Sequence, residues 1–253
     1  MKILPLSTKI LKHGDDLAAV LSAAEKFEES DVVVVSSKAI AMVEGTVIDL
    51  KTITPTTEAE NWARLGSRSA AFRQAVLDET KRLRGRVAGG SPIAMLTELR
   101  PAGMKGSLLV PNAGLDQSNV PAGFAIGWPF DPVASAKLLR KLLQEKTGRR
   151  IAVIVSDSCC RPRRWGVTAF ALVACGLDPL SSQIGKSDLF GRPLTMTVEA
   201  VADQLATAAN AVMGNGDQSI PAAIVRDHGL TLSDYCGWVE GITAEEDLFN
   251  GAF

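Results

Sequence analysis

The sequence predicts an α+β protein with mixed sheets and flanking helices, and three patterns carry that expectation. Val32-Val33-Val34-Val35 and Ile151-Ala152-Val153-Ile154-Val155 are apolar runs rich in β-branched residues, the pattern of buried strands. Leu17, Val20, Leu21 and Ala24 recur at helical spacing, as do Ala134, Leu138, Leu139 and Leu142. Residues 197–213 are alanine-rich and close on Gly214, a helix with a glycine stop.

The elements follow in chain order. His13-Gly14 is a turn signal, and residues 15–27 read as a helix behind it. Asp31 opens the strand 32–35, which Ser36-Ser37 bounds. Residues 57–83 read as one or two helices, with Thr57 as cap and Glu60 completing a capping box. Residues 84–92, rich in Gly and Arg, read as a loop. Strands are expected at 93–96 and 107–110, with Arg100-Pro101-Ala102-Gly103 turning between them. Asp131-Pro132 opens a helix that ends near Gly148. Strands at 151–155, 167–174 and 222–225 complete the set. No repeat, low-complexity tract or linker interrupts the chain, so residues 1–253 form one domain, any second lobe being discontinuous.

Composition excludes several classes. With 46% hydrophobic and 22% charged residues the chain is an ordinary globular protein. A net charge of -1 gives no field favouring nucleic acid or an anionic membrane. No apolar run approaches the length of a spanning helix, and no export signal is apparent, so a cytoplasmic setting is expected. Cys159, Cys160, Cys175 and Cys236 lack metal-ligand spacing, and reduced thiols are the simplest account of them. Only His13 and His228 are available for histidine chemistry.

Two acidic segments carry the chemistry. Asn112-Ala113-Gly114-Leu115-Asp116 and the run ending Val155-Ser156-Asp157-Ser158 each place an aspartate where a strand hands over to a loop. Such a pair can hold a hard divalent cation, which brings phosphate oxygens with it. Arg161, Arg163 and Arg164 follow Asp157 closely and suit an anionic substrate. Each aspartate alone equally suits capping of a turn, and the arginines equally suit a solvated loop. The cysteines and the four tryptophans read most simply as packing residues, although Trp165 could stack on a flat substrate. No P-loop is present: Gly185-Lys186-Ser187 lacks the first glycine, since position 180 is Leu.

Order and spacing of short words give a resemblance. Gly14-Asp15-Asp16-Leu17, Ser36-Ser37-Lys38 and Glu44-Gly45 come first. Asn112-Ala113-Gly114, Asp116, Ser118-Asn119-Val120, Asp131-Pro132 and Ser156-Asp157-Ser158 follow. Arg161-Pro162, Asp188, Gly191-Arg192 and Ala202-Asp203-Gln204-Leu205-Ala206 complete the series. Together they resemble the coenzyme F420-0:L-glutamate ligase family, also called γ-glutamyl ligases, over residues 11 to about 226. The resemblance implies a two-lobed fold, a homodimer, and a ligase that uses GTP and a divalent metal (Mg or Mn). Such an enzyme joins L-glutamate to the carboxylate of F420-0 or a similar acceptor through an acyl-phosphate. By the same resemblance Asp116, Asp157 and Ser158 would ligate the metal. Thr8, Lys9, Ile10, Leu11, Ser37, Lys38, Asn119 and the 213–220 loop with Gly214 and Gly216 would cradle the nucleotide. Arg161 and Arg164, by their place just after Asp157, are the candidate catalytic cations.

Departures from the family pattern bear on activity. Family members typically carry Lys where this chain has Met42. They read Phe-Gly-Arg-Pro-Trp-Arg in place of Cys159-Cys160-Arg161-Pro162-Arg163-Arg164, and Gly-Gln-Thr-Asp in place of Gly166-Val167-Thr168-Ala169. These changes imply an altered acceptor, and they leave open a nucleotide-binding homologue without turnover.

Overall fold

A computed structural model describes residues 1–251. The elements are β1 (Lys2–Leu6), α1 (Leu17–Ala24), β2 (Val32–Ser36), α2 (Ser37–Glu44), β3 (Ile48–Asp49), α3 (Thr57–Arg64) and α4 (Ala70–Arg82). There follow β4 (Arg86–Gly90), β5 (Met95–Leu99), β6 (Leu108–Pro111), β7 (Phe124–Ala125), α5 (Pro132–Thr147), β8 (Ala152–Cys160) and β9 (Val167–Cys175). The last are β10 (Ser181–Ser182), β11 (Val198–Glu199), α6 (Val201–Met213), β12 (Ala222–Arg226) and β13 (Cys236–Trp238). The mixed α+β expectation holds.

The main sheet runs β1-β12-β2-β8-β9-β13. Only β2 and β8 pair in parallel; their neighbours are antiparallel. Val32–Val35 and residues 152–155 are wholly buried, because helices cover both faces of this centre. α6 packs on one face through Ala202, Leu205, Ala206 and Ala209. On the other face α5 packs through Ala136, Leu139 and Leu143. That same core continues through Phe72, Met95, Leu99 and Val110 into α4 and the three-stranded sheet β4-β5-β6.

Several boundaries differ from expectation, each for a physical reason. The cap of α3 is Thr56, whose side chain accepts from the Ala59 amide; Thr57 is the first helical residue. Arg86–Gly90 is a strand, not a loop, because β5 supplies its hydrogen bonds despite two glycines. β8 does not stop at Val155: pairing with β9 carries it through Asp157 to Cys160, so Asp157 lies within a strand. Cys175 and Cys236 are not reduced thiols. They face each other across β9 and β13 and form a disulfide, a pairing that 61 residues of separation hide in the sequence.

α5 matches its reading closely. Asp131 accepts from the Val133 and Ala134 amides, Pro132 holds the first helical position, and Gly148 closes the helix in the left-handed conformation.

Candidate active site

The parallel pair sets the site. Ser36 and Ser156 stand side by side where β2 gives way to α2 while β8 runs on. The carboxyl ends of parallel strands form a crevice that loops from elsewhere can wall in. Here segments 8–11, 116–119 and 213–221 do so, enclosing a cleft of about 570 Å³, within the range of small-molecule sites.

Asp157 and Lys38 form its floor. The Lys38 ammonium, on the first turn of α2, donates to Asp157 Oδ1 at 2.8 Å. The buried Trp128 Nε1–H donates to Oδ2 at 2.7 Å, and the Ser158 amide to Oδ1 at 2.9 Å. Burial works against the Lys38 ammonium, but the charges of Asp157 and Asp116 outweigh it and hold the pKa above its ordinary value.

Asp116 faces the same cleft from a loop that a two-way backbone bridge to Ile126 fixes. Burial raises its pKa, yet the Ser118 hydroxyl, the Gln117 amide and the Lys38 charge together bring it below the usual value. Asp116 is therefore an anion at neutral pH. Asp116 and Asp157 both line the cleft.

The end of the cleft beside α6 is built from backbone. Gly214 closes α6 with a φ of 69°, and a Cβ there would lie 2.7 Å from the Gln218 side chain, so glycine is required. The Gly216 amide is held by Gln218 Oε1, and Asn119 Nδ2 donates to the Gly216 carbonyl. The Thr8 amide donates to the Ser219 carbonyl, which ties segment 8–11 to this loop.

Thr8, Lys9, Ile10, Leu11, Lys38, Asn119, Gly214 and Gly216 line the cleft with Asp116, Asp157 and Ser158. Ser37 does not; it is buried, and its hydroxyl has no hydrogen-bond partner. Arg161 and Arg164 do not line it either. They lie exposed at the tip joining β8 to β9, beside Trp165, which is fully exposed. Trp128 was legible only as a packing residue, and nothing local in the sequence marks it as the donor to Asp157. Cys159 and Cys160 are free thiols. Burial, followed by Cys160 and Asp157, pushes Cys159 up to about 12, so it is no nucleophile at neutral pH.

The donor set fits a hard divalent cation. A carboxylate offers about four lone-pair positions, and the contacts above leave each aspartate at least one. Among the described residues no three His, Cys, Asp or Glu side chains converge. A cation here would therefore take two carboxylates and the Ser158 hydroxyl, with water or phosphate oxygens completing its shell. Lys9 and Lys38 oppose Asp116, Asp157 and Asp217 in the lining, two positive charges against three negative, leaving -1.

Comparison with known proteins finds relatives over most of the chain. A family model described as F420-0:Gamma-glutamyl ligase matches residues 5–227. The Coenzyme F420:L-glutamate ligase of Archaeoglobus fulgidus is 37% identical over 238 residues, covering 94% of this chain and 91% of its own. The protein of the same name from Methanopyrus kandleri is 36% identical over 222 residues, covering 88% and 84%. That from Methanocaldococcus jannaschii is 34% identical over 250 residues, covering 98% and 96%.

Proposed function

The chain belongs to the F420-0:γ-glutamyl ligase family, and from that premise we propose a GTP- and divalent-metal-dependent reaction that proceeds through an acyl-phosphate. It is a ligase of this type, joining L-glutamate to the carboxylate of coenzyme F420-0 or a related acceptor. The observation that carries the finer proposal is the Asp116–Asp157–Lys38 cluster at the mouth of a glycine-containing backbone cradle.

The chemistry divides among these groups. The acceptor carboxylate attacks the γ-phosphorus of GTP, the bond to GDP breaks, and an acyl-phosphate forms. The glutamate amine then attacks the acyl carbon, loses a proton, and expels phosphate. A triphosphate entering a lining of charge -1 needs compensation. A divalent cation on Asp116, Asp157 and Ser158 would neutralise charge on the transferring group. The 214–218 backbone binds and orients the phosphates, and Lys38 holds Asp157 in place while adding positive charge. Asp116, anionic at neutral pH, acts as a ligand, not as a proton donor.

Met42 lines the cleft without a charge, and Lys9 and Lys38 are the ammonium groups of its lining. A cytoplasmic setting is part of the same proposal. What supports it is the need for GTP; among the described residues no helix is long and apolar enough to cross a membrane. A homodimer is also part of it. The arm around β10 and β11 exposes Leu189, Phe190 and Met196 at 99%, 90% and 84%, an apolar surface that a second copy would cover.

Mass spectrometry of a reaction containing F420-0, L-glutamate, GTP and magnesium or manganese tests the function. A glutamyl adduct with matching phosphate release is the expected result. GTP affinity with neither product would replace the ligase by a nucleotide-binding homologue.

A further inference from the structure

Among the described residues Arg73 is a buried charge without a counterion. Arg73, on the first turn of α4, is fully buried. Its Nη2 donates to the Pro92 carbonyl at 3.3 Å, while Nε and Nη1 have no partner. No carboxylate among the described residues forms an ion pair with it. A second guanidinium stands nearby: Arg68, just before the Ser69 cap, lies 5.3 Å from the Phe72 ring centroid and donates to Gln117 Oε1 at 2.8 Å. Burial and then the Arg68 charge both depress the Arg73 pKa. The amino end of a 13-residue helix adds its own positive field. Buried charges are ordinarily paired, since an unpaired one is strongly unfavourable. Here three positive contributions meet without an anion.

The neighbouring geometry says where the anion would enter. Gln117, which holds Arg68, adjoins Asp116 of the cleft. Over Arg73 lies the turn between β4 and β5, which the Ser91 amide closes on the Ala94 carbonyl at 2.8 Å and whose Ile93 is 77% exposed. The Pro92 carbonyl also presses on Gly66, where a Cβ would sit 1.7 Å from it. One long hydrogen bond is all that ties this turn to the guanidinium.

We propose that Arg68 and Arg73 form a carboxylate subsite for the non-reacting end of the glutamate co-substrate, opened when the Pro92 turn moves aside. The identity of the anion rests on the ligase function proposed above. A guanidinium fork matches a planar carboxylate in two parallel hydrogen bonds. Phosphate groups already have the backbone cradle beside Gly214. Holding the far carboxylate here leaves the amine free to face the cleft that Asp116 lines.

Thermal melting with glutarate tests the subsite without turnover, glutarate having both carboxylates and no amine. Wild type is expected to melt higher as glutarate rises into the millimolar range. Arg68→Gln should weaken the glutarate response about tenfold or more, as losing a hydrogen bond to a charged group does. The KM for glutamate should rise to match, while the KM for GTP changes less than about twofold. Arg73→Met should abolish the response without lowering the melting temperature of the free protein, because it removes an unpaired charge. A wild type indifferent to glutarate or an unchanged Arg68→Gln response would each overturn the proposal. An Arg73→Met protein that melts far below wild type would make Arg73 a structural tie to Pro92 and overturn it too. A glutarate response without ligated product leaves the subsite and removes the ligase function; product without the response does the reverse.

Discussion

Lys38→Met is the most informative single change. In the folded protein the Lys38 ammonium lies 2.8 Å from Asp157, with the two side chains 23% and 7% exposed. Removing the ammonium leaves the Asp157 charge to the Trp128 and Ser158 N–H groups alone. Breaking a buried pair on one side costs about 3–5 kcal/mol. Partial exposure of Lys38 and the two surviving donors favour the lower end, about 3 kcal/mol. For a chain of this size that lowers the melting temperature by roughly 6–12 °C. The variant site then holds two carboxylates and no ammonium, so a divalent cation should bind it more tightly than wild type. Saturation at about a hundredfold over Kd would return roughly 2.7 kcal/mol. The assay is thermal unfolding in EDTA and in excess magnesium. Two results would refute the reasoning: melting within about 2 °C of wild type in EDTA, judged against the shift above, or a smaller magnesium shift in the variant than in wild type.

Three further outcomes follow from the same geometry. The Asp116 carboxyl is depressed in the folded state, so its stabilisation is fully present above its unfolded pKa and is lost as pH falls through the folded value. Asp116→Asn should therefore flatten the acid limb of a stability–pH curve and weaken magnesium-dependent binding of a fluorescent GTP analogue; an unaltered limb and affinity would count against both roles. Unfolded but unreduced protein should show two free thiols, and in the folded state maleimide should label the exposed Cys160 before Cys159. Four thiols would contradict the Cys175–Cys236 bond, and a large loss of turnover in a Cys159→Ser, Cys160→Ser protein would contradict a thiol-free mechanism. Leu189→Glu with Phe190→Glu should turn a dimer into monomers in sedimentation velocity, whereas an unchanged dimer would place the interface elsewhere.

Elements that local pattern dictates were legible in the sequence. β2 declares itself by four consecutive valines, and α5 by Asp131, Pro132 and Gly148 at its ends. Elements that distant partners create were not. β1 carries Pro5 and is an edge strand, where a missing N–H is tolerated, and only β12 makes it a strand. Ser156 to Cys160 has little β preference of its own and is extended because β9 pairs with it. The disulfide depends on β13 meeting β9, and the Trp128 bond to Asp157 depends on a loop crossing to β8. Both aspartates were singled out by residue type beside an apolar run, which is local, although Asp157 lies within β8 and not at a strand end. Arg161 and Arg164 were assigned by proximity in sequence, and a hairpin carries them away from Asp157 despite it.

That hairpin also decides how the departures from the family pattern should weigh. Arg163 has a φ of 55° and lies exposed with Arg161, Arg164 and Trp165 at its tip. Asp157 and Ser158 sit further down the same strand, in register with Phe170 and Ala169, and Asp157 is locked by Lys38 and Trp128. The tip joins that lock through the β8–β9 ladder, from Cys160 opposite Val167 down to Asp157 opposite Phe170. Loss of the usual polar residue at Val167 alters what can dock near the tip, but Ala169 lies opposite Ser158 and lines the cleft, so the absence of the family's Asp there removes a negative charge from the lining. Met42 lines the cleft too, and it removes a positive charge. With Lys38 already committed to Asp157, little fixed positive charge remains to meet a triphosphate. The consequence is a stronger dependence on the divalent cation, concentrated at the pair of carboxylates that the parallel strands and the Ile126 bridge hold in place.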